Sequence, residues 1–200
     1  FAYHDKIIKP VVLAKSRTIP ESDSMRKEFL ECLESLNPQQ LNTFRAYDNE
    51  FLSAAFNYFD SLGLSNEDLI SEIKNDFAET KLIAVNTDNE SEKNQILVNT
   101  LEQDNNPIRL VFAVDKLNEG WDVLNLFDIV RLYDTRDAGA RGPGKTTIQE
   151  AQLIGRGARY CPFEFNDEDK FKRKFDNDLE HPLRICETLH YHCSYNPRYI

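Results

Sequence analysis

The stretch Ile108-Arg-Leu-Val-Phe-Ala-Val114 runs without a break into Asp115-Lys-Leu-Asn-Glu-Gly-Trp-Asp122. Its first half is short, apolar and rich in β-branched residues, the composition of a buried strand; its second half is polar and carries a glycine, the composition of a loop. In parallel α/β sheets the loops at the carboxyl ends of the strands form the ligand crevice, which places Gly120 and Asp122 where a nucleotide binds. The plainer reading makes Asp122 a turn former and Trp121 core filling.

Outward from this point the chain alternates strand-like and helix-like segments, which predicts an α/β fold with a mainly parallel sheet. Residues 11–14 read as the first strand. Met25, Phe29, Cys32, Leu33 and Leu36 follow at helical spacing, with Ser22 or Ser24 as the expected cap. A second stripe holds Phe51, Ala55, Phe56 and Phe59, and a third holds Leu69, Ile70, Ile73 and Phe77 behind a Ser65/Asp68 capping box. These aromatic stripes are expected in the core. Residues 82–85, 108–114 and 127–133 read as further strands, residues 95–101 and 147–154 as helices, and residues 183–186 as a last strand. Glu164 to Glu180 mixes both charges like a solvated linker.

About thirty residues after the loop comes Gln152-Leu-Ile-Gly-Arg-Gly-Ala-Arg159. Arg156 and Arg159 are three apart, so on a helix or tight turn they project to one side and reach the same phosphate. Phosphoryl transfer calls for such donors, charged at every working pH and planar enough to grip two oxygens. Gly155 and Gly157 keep side chains away from a close approach. Alone, the segment also reads as a basic helix end with capping glycines.

Together, V-D-K-L-N-E-G-W-D-V-x-N and Q-L-I-G-R-G-A-R resemble motifs V and VI of superfamily 2 helicases, in the version carried by the restriction (Res) subunit of type III restriction–modification enzymes. Lys9-Pro-Val-Val-Leu-Ala-Lys-Ser16 resembles the strand and loop of motif IV, and Cys186-Glu-Thr-Leu-His-Tyr-His192 the segment beyond the motor core. The resemblance runs from about Lys9 to the end, although Asn37 to Thr80 carries no motif. It implies that residues 1–200 form a second RecA-like motor domain, a parallel sheet flanked by helices. A helical insertion (about 38–79) would lie between the first two strands, and a C-terminal extension would span about 161–200.

Carried over position by position, Gly120 would approach phosphate through its backbone and Asp122 would meet ribose hydroxyls or the adjoining arginines. Gln152 occupies the first place of motif VI, where many relatives have histidine, and Gly155 stands beside it in the cofactor-binding set. Arg156 and Arg159 would contact the γ-phosphate, Arg159 as the arginine finger. Lys15, Ser16 and Lys116 would touch nucleic acid, whereas Val114 replaces the threonine that commonly does so. The implied cofactors are ATP and Mg²⁺, held mainly by a first motor domain of the same parent chain. The implied partners are DNA and a DNA-methyltransferase (modification) subunit, with no membrane.

Gly139-Ala-Arg-Gly-Pro-Gly-Lys-Thr146 also fits the phosphate-cradling pattern G-x-x-x-x-G-K-[ST]. Three features weigh against it. Several strand-like runs precede it, Pro143 removes an amide donor, and no apolar strand ending in an acid follows to hold Mg²⁺. A self-contained ATPase or kinase using Lys145, and a non-catalytic α/β interaction module, remain the alternatives to the motor.

The 200 residues carry a net charge of −10, awkward for a DNA enzyme because duplex affinity comes from Lys and Arg displacing counterions. Arg131, Arg136, Arg141, Lys145, Arg156 and Arg159 nevertheless fall in one section. Cys32, Cys161, Cys186 and Cys193 form no C-x-x-C pair, and no signal peptide or long apolar span is present, so a reducing, cytoplasmic setting is expected. His190-x-His192-Cys193 has metal-binding residue types, but alternation along a strand accounts for it more simply.

Overall fold

Four short apolar runs and the mixed stretch His190–Cys193 pair side by side, all in parallel, because none is long enough to bury its surface alone. The computed structural model describes residues 8–85, 92–114, 123, 125–133, 138–139, 142–143, 145–157, 165 and 172–193. The strands are β1 (Val11–Lys15), β2 (Leu82–Val85), β3 (Leu110–Ala113), β4 (Leu126–Arg131) and β7 (His190–Cys193), in the order β2-β3-β1-β4-β7. A separate antiparallel pair, β5 (Ala138–Gly139) and β6 (Gly142–Pro143), stands outside this sheet. In β1, Val11 pairs with Leu126 but Val12 with Asp128, so Phe127 is an extra residue that bulges β4. The architecture is the α/β fold of parallel strands and flanking helices expected from the alternating pattern.

Alternation splits each central strand between two apolar layers. On one face Leu13, Ile83, Val111 and Ile129 pack with Val98 of α5 (Glu92–Asn99) and Leu153 of α6 (Lys145–Gly157). On the other face Ala14, Leu82, Leu110 and Phe112 meet Met25, Phe29 and Leu30 of α1 (Ile19–Ser35). Phe29 lies edge-on to both Phe77 and Phe112, with centroids 6.0 and 6.3 Å away, the geometry aromatic quadrupoles favour. Helix α1 begins earlier than Ser22 or Ser24 would place it. Thr18 caps it, exchanging hydrogen bonds with Glu21, and Pro20 lies in the first turn. Ser22 is instead a buried residue within the helix.

Between α1 and β2 stand α2 (Pro38–Arg45), α3 (Glu50–Ser61) and α4 (Asn66–Asp76). They have a small core of their own, in which Leu41, Leu69 and Ile70 are buried against Phe56, Phe59 and Ile73. The Ser65/Asp68 capping box starts α4 as its sequence requires, and Asn37 with Gln40 does the same for α2. Arg45 grips Asp60 through two bonds of 2.9 and 2.8 Å and lies over the Phe56 ring. Phe51 is not core, contrary to its place in the stripe: it is 60% exposed, because three short helices bury only one stripe each.

Two expectations for the C-terminal segment need correction. Residues 183–186 form no strand; Pro182–Glu187 is a 3₁₀ helix, and the strand is His190–Cys193. Pro182 presets the turn, the His181 ring accepts from the Leu183 N–H at 3.2 Å, and Cys186 is fully buried. Nor are residues 172–180 a solvated linker. Buried Phe175 stacks on His181 at 4.0 Å, and buried Glu187 accepts from the Lys174 and Phe175 N–H groups at 2.7 and 3.2 Å.

Leu13 is fully buried on the central strand, where truncation leaves a cavity that a close-packed layer cannot close. Leu13→Ala is expected to lower unfolding stability by about 2–5 kcal/mol, read as a lower urea midpoint at unchanged slope. An unchanged midpoint would contradict this packing.

Candidate functional site

The site begins where the sheet changes direction. Helix α1 leaves the carboxyl end of β1 on one face, and α6 follows the adjacent β4 on the opposite face. Such a switch opens a crevice at the strand ends, here between the ends of β1 and β4. Lys15 and Arg131 are register partners at that end. Of the residues expected to touch nucleic acid, Lys15 and Ser16 thus sit at the crevice, but both are buried. Ser16 donates its N–H to the Ala113 carbonyl at 3.0 Å. Its hydroxyl is buried and makes no hydrogen bond among the described residues. A buried hydroxyl left unsatisfied at such a point calls for a partner.

Lys116, Gly120, Asp122 and Arg159 lie outside the described residues. Gln152, Gly155 and Arg156 all belong to α6. Gln152 and Gly155 are exposed, and a Cβ at Gly155 would meet no atom within 4 Å. Nothing among the described residues therefore requires glycine at this place. The open flank fits an approach from outside the domain.

Helix α6 is seated by a buried ion pair that sequence reading missed. Its inward stripe is Glu150, Leu153 and Ile154, at spacings of three and four. Arg131 at the end of β4 lies 3.3 Å from Glu150, with 1% and 2% of the two side chains exposed. The Tyr133 hydroxyl donates to the same carboxylate at 2.8 Å, and the Arg131 guanidinium lies 4.5 Å from the Tyr133 ring centre. Arg131 is thus not one of the free cations of its section; its charge is spent inside the protein. The available signals were a charged residue inside an apolar strand and a carboxylate on an otherwise apolar stripe.

The glycine-rich stretch is no continuation of the parallel sheet. Ala138 pairs with Pro143 and Gly139 with Gly142, antiparallel, so the chain folds back on itself before α6 begins. A phosphate cradle is instead an open nest running from a sheet strand into a helix.

At the outer edge of the sheet, Asp128 of β4 faces two histidines of β7. Its carboxylate lies 2.8 Å from His192 Nε2 and 3.6 Å from His190 Nδ1. Burial pushes the Asp128 pKa up, but the hydrogen bonds and charges of His190 and His192 outweigh it and hold the group below the ordinary 3.8. His190 is held above 6.5, chiefly by its hydrogen bond to Asp128 and against the effect of burial. No group of three or more His, Cys, Asp or Glu among the described residues is placed to hold a metal ion.

Breaking a buried pair strands a charge. Glu150→Ala is expected to cost about 3–5 kcal/mol, whereas Arg131→Met with Glu150→Leu costs less, because no buried charge is left unpaired and only the half-buried Tyr133 hydroxyl loses its acceptor. Urea unfolding checks this, and a double variant as unstable as the single one would contradict it. The Asp128 pairing adds a pH dependence. The raised pKa of His190 gives stability that is complete below its ordinary 6.5 and lost as pH rises through the raised value. The lowered pKa of Asp128 gives stability that is complete above 3.8 and lost as pH falls through the lowered value. Asp128→Asn should therefore flatten the loss of melting temperature as pH rises above 6.5, the ordinary value of His190, and an unchanged profile would contradict the pairing.

Comparison with known proteins gives three findings. A family model described as the HI_1054_N N-terminal region matches residues 146–200. The chain is 36% identical over 154 residues to a probable type III restriction-modification enzyme HindVIP Res subunit of Haemophilus influenzae, covering 66% of this chain and 29% of that protein. It is 56% identical over 52 residues to an uncharacterized protein of the same organism, covering 26% of this chain and 11% of that protein. The chain thus spans less than a third of the length of these curated relatives. No solved structure matches it. Among the described residues no helix is long and apolar enough to cross a membrane. The similarity to a Res subunit extends over 66% of the chain.

Proposed function

We propose that this chain is the second RecA-like motor domain of an ATP-dependent DNA translocase or helicase subunit, part of a type III restriction endonuclease. It supplies the arginine half of an ATP site between two domains. The observation that carries this reading is the seating of α6, which bears Gln152, Gly155 and Arg156, beside the strand-switch crevice by the buried Arg131–Glu150 pair. The 36% identity to a protein named as a Res subunit supports the restriction–modification setting. In this reading α2–α4 are an insertion, and the segment after residue 161 is an extension of the motor.

The chemistry asked of the domain is positioning and charge. ATP bound by a first motor domain presents its γ-phosphate to this one; Arg156 and Arg159 donate to the phosphate oxygens as charge spreads over them, and the fixed guanidinium needs no reorganisation as that happens. Gly155 leaves room for the approach, Gln152 is exposed on the same helix, and Gly120 and Asp122, which follow β3 in the chain, would border the nucleotide. Mg²⁺ supplies charge neutralisation when bound, and its ligands belong to the first domain. Closing the two domains completes the site, so turnover is coupled to their relative motion and hence to movement on DNA. In this reading Lys116 is the contact on the nucleic-acid side, whereas Lys15 and Ser16, buried at the crevice end of β1, reach it only where the crevice opens, and a modification subunit is a partner of the parent enzyme.

Arginine fingers contribute on the order of 10³ to 10⁵ in turnover. In a full-length enzyme carrying this domain, Arg159→Ala and Arg156→Ala are each expected to abolish DNA-stimulated phosphate release with the fold intact by circular dichroism. Lysine at these positions should restore little, because an ammonium lacks the planar fork. Lys145→Ala should stay within about tenfold of wild type, about 1.4 kcal/mol in the barrier. Equal, complete loss in the lysine and arginine variants would return the glycine-rich stretch to the active site and overturn the assignment.

A further inference from the structure

The net negative charge of the chain is concentrated in one segment. Residues 19–79, which span α1 to α4, hold thirteen Asp and Glu against four Lys and Arg, a net −9 of the whole −10. The remaining residues are almost neutral.

The same side of the sheet carries an apolar strip. Helix α1 covers its β2, β3 and β1 part, and between α1 and β4 a cavity of about 380 Å³ opens, walled by Met25, Phe29, Cys32, Val130 and Leu132. Asp128, Val130 and Leu132 alternate along β4, so they share this face at about 7 Å intervals. His190, paired with Asp128, lies 6.5 Å from the Phe51 ring of α3. From there the surface continues to the α2–α3 turn, where Phe44, Tyr47 and Phe51 are 53%, 66% and 60% exposed. Three large aromatics exposed within eight residues, linked to the open apolar cavity across the Asp128–His190 pair, form the kind of patch that marks an interaction surface.

We propose that this strip is the docking site of a protein partner that presents a basic amphipathic helix. Its apolar stripe enters the cavity and rests on Phe44, Tyr47 and Phe51, while its Lys and Arg meet the exposed carboxylates that flank both ends. Glu28 and Glu31 stand on α1 beside the cavity, and Asp48 and Glu50 beside the aromatics. Charge complementarity selects this partner. It also excludes the other use of exposed aromatics, base stacking, because that requires a cationic groove to hold the phosphates.

Cys32 reports occupancy directly, since it is exposed and lines the cavity, while Cys186 is buried. The probe is an 18-residue amphipathic Leu/Lys peptide added to the 200-residue chain, read by fluorescence anisotropy and by mass-resolved alkylation of Cys32. The peptide is expected to bind, to slow Cys32 alkylation at least tenfold, and to dissociate as salt is raised. The Phe44→Ser/Tyr47→Ser/Phe51→Ser variant, altered only where side chains are more than half exposed, should keep its fold and bind at least tenfold more weakly. The proposal is overturned if Cys32 is not protected, if the triple variant binds as well as wild type, or if a Leu/Glu peptide or a Leu/Lys peptide without helical periodicity binds equally. Protection of Cys32 by a 20-nucleotide single strand instead of the peptide would overturn it in favour of nucleic acid.

Discussion

The buried pair between Arg131 and Glu150 is the interaction on which the proposed site depends. It joins the last residue of β4 to the inward face of α6 in a place where neither charge reaches water. Removing two ions from solvent costs several kcal/mol each, so a pair like this adds little to stability beyond what an apolar pair would give. What it adds is direction. An apolar contact tolerates sliding and rotation of a helix on a sheet, whereas Glu150 must meet both Arg131 and the Tyr133 hydroxyl. That requirement fixes the rotation and height of α6 over β4, and with them the segment that carries Gln152, Gly155 and Arg156. A phosphate-contacting arginine is useful only if its helix arrives at one fixed place, which gives a reason for a costly pair beneath it.

The charge distribution removes a difficulty. A net charge of −10 argues against DNA binding if spread evenly over the surface. It is not spread evenly: α1 to α4 hold nearly all of it. The crevice end and α6 belong to the almost neutral remainder, and the acidic layer lies on the α1 side of the sheet. In the proposed motor, repulsion from that layer would steer nucleic acid away from the α1 side.

Much of the fold was legible because single elements announce themselves. The run 108–114 could be read as a buried strand from its β-branched composition, and Ser65 with Asp68 marked the start of α4 by chemistry that needs only local hydrogen bonds. The errors arose where a partner outside the single residue, near or far, decides. Thr18 displaced Ser22 and Ser24 as a cap because Glu21 and Pro20 act together with it. Residues 183–186 are as apolar as a strand, yet Cys186 is buried in a small cluster with Phe175 rather than in the sheet. In the candidate site, Gln152 fell on the helix expected over 147–154, whereas Gly155 and Arg156 lay past its expected end and belong to it because α6 runs on to Gly157. The Arg131–Glu150 pair could not be read from the sequence, because a charge in an apolar strand and a carboxylate on an apolar helix stripe, nineteen positions apart, do not by themselves say that each is the other's partner.

The central claim is that the domain holds half of an ATP site, and phosphate release by the purified 200-residue chain with Mg²⁺ and ATP tests it most directly. The account predicts no turnover above buffer, with or without DNA, since the phosphate-cradling loop and metal ligands belong to another domain. Sustained hydrolysis by the chain alone, abolished by Lys145→Ala, would contradict it and show a complete site within these residues.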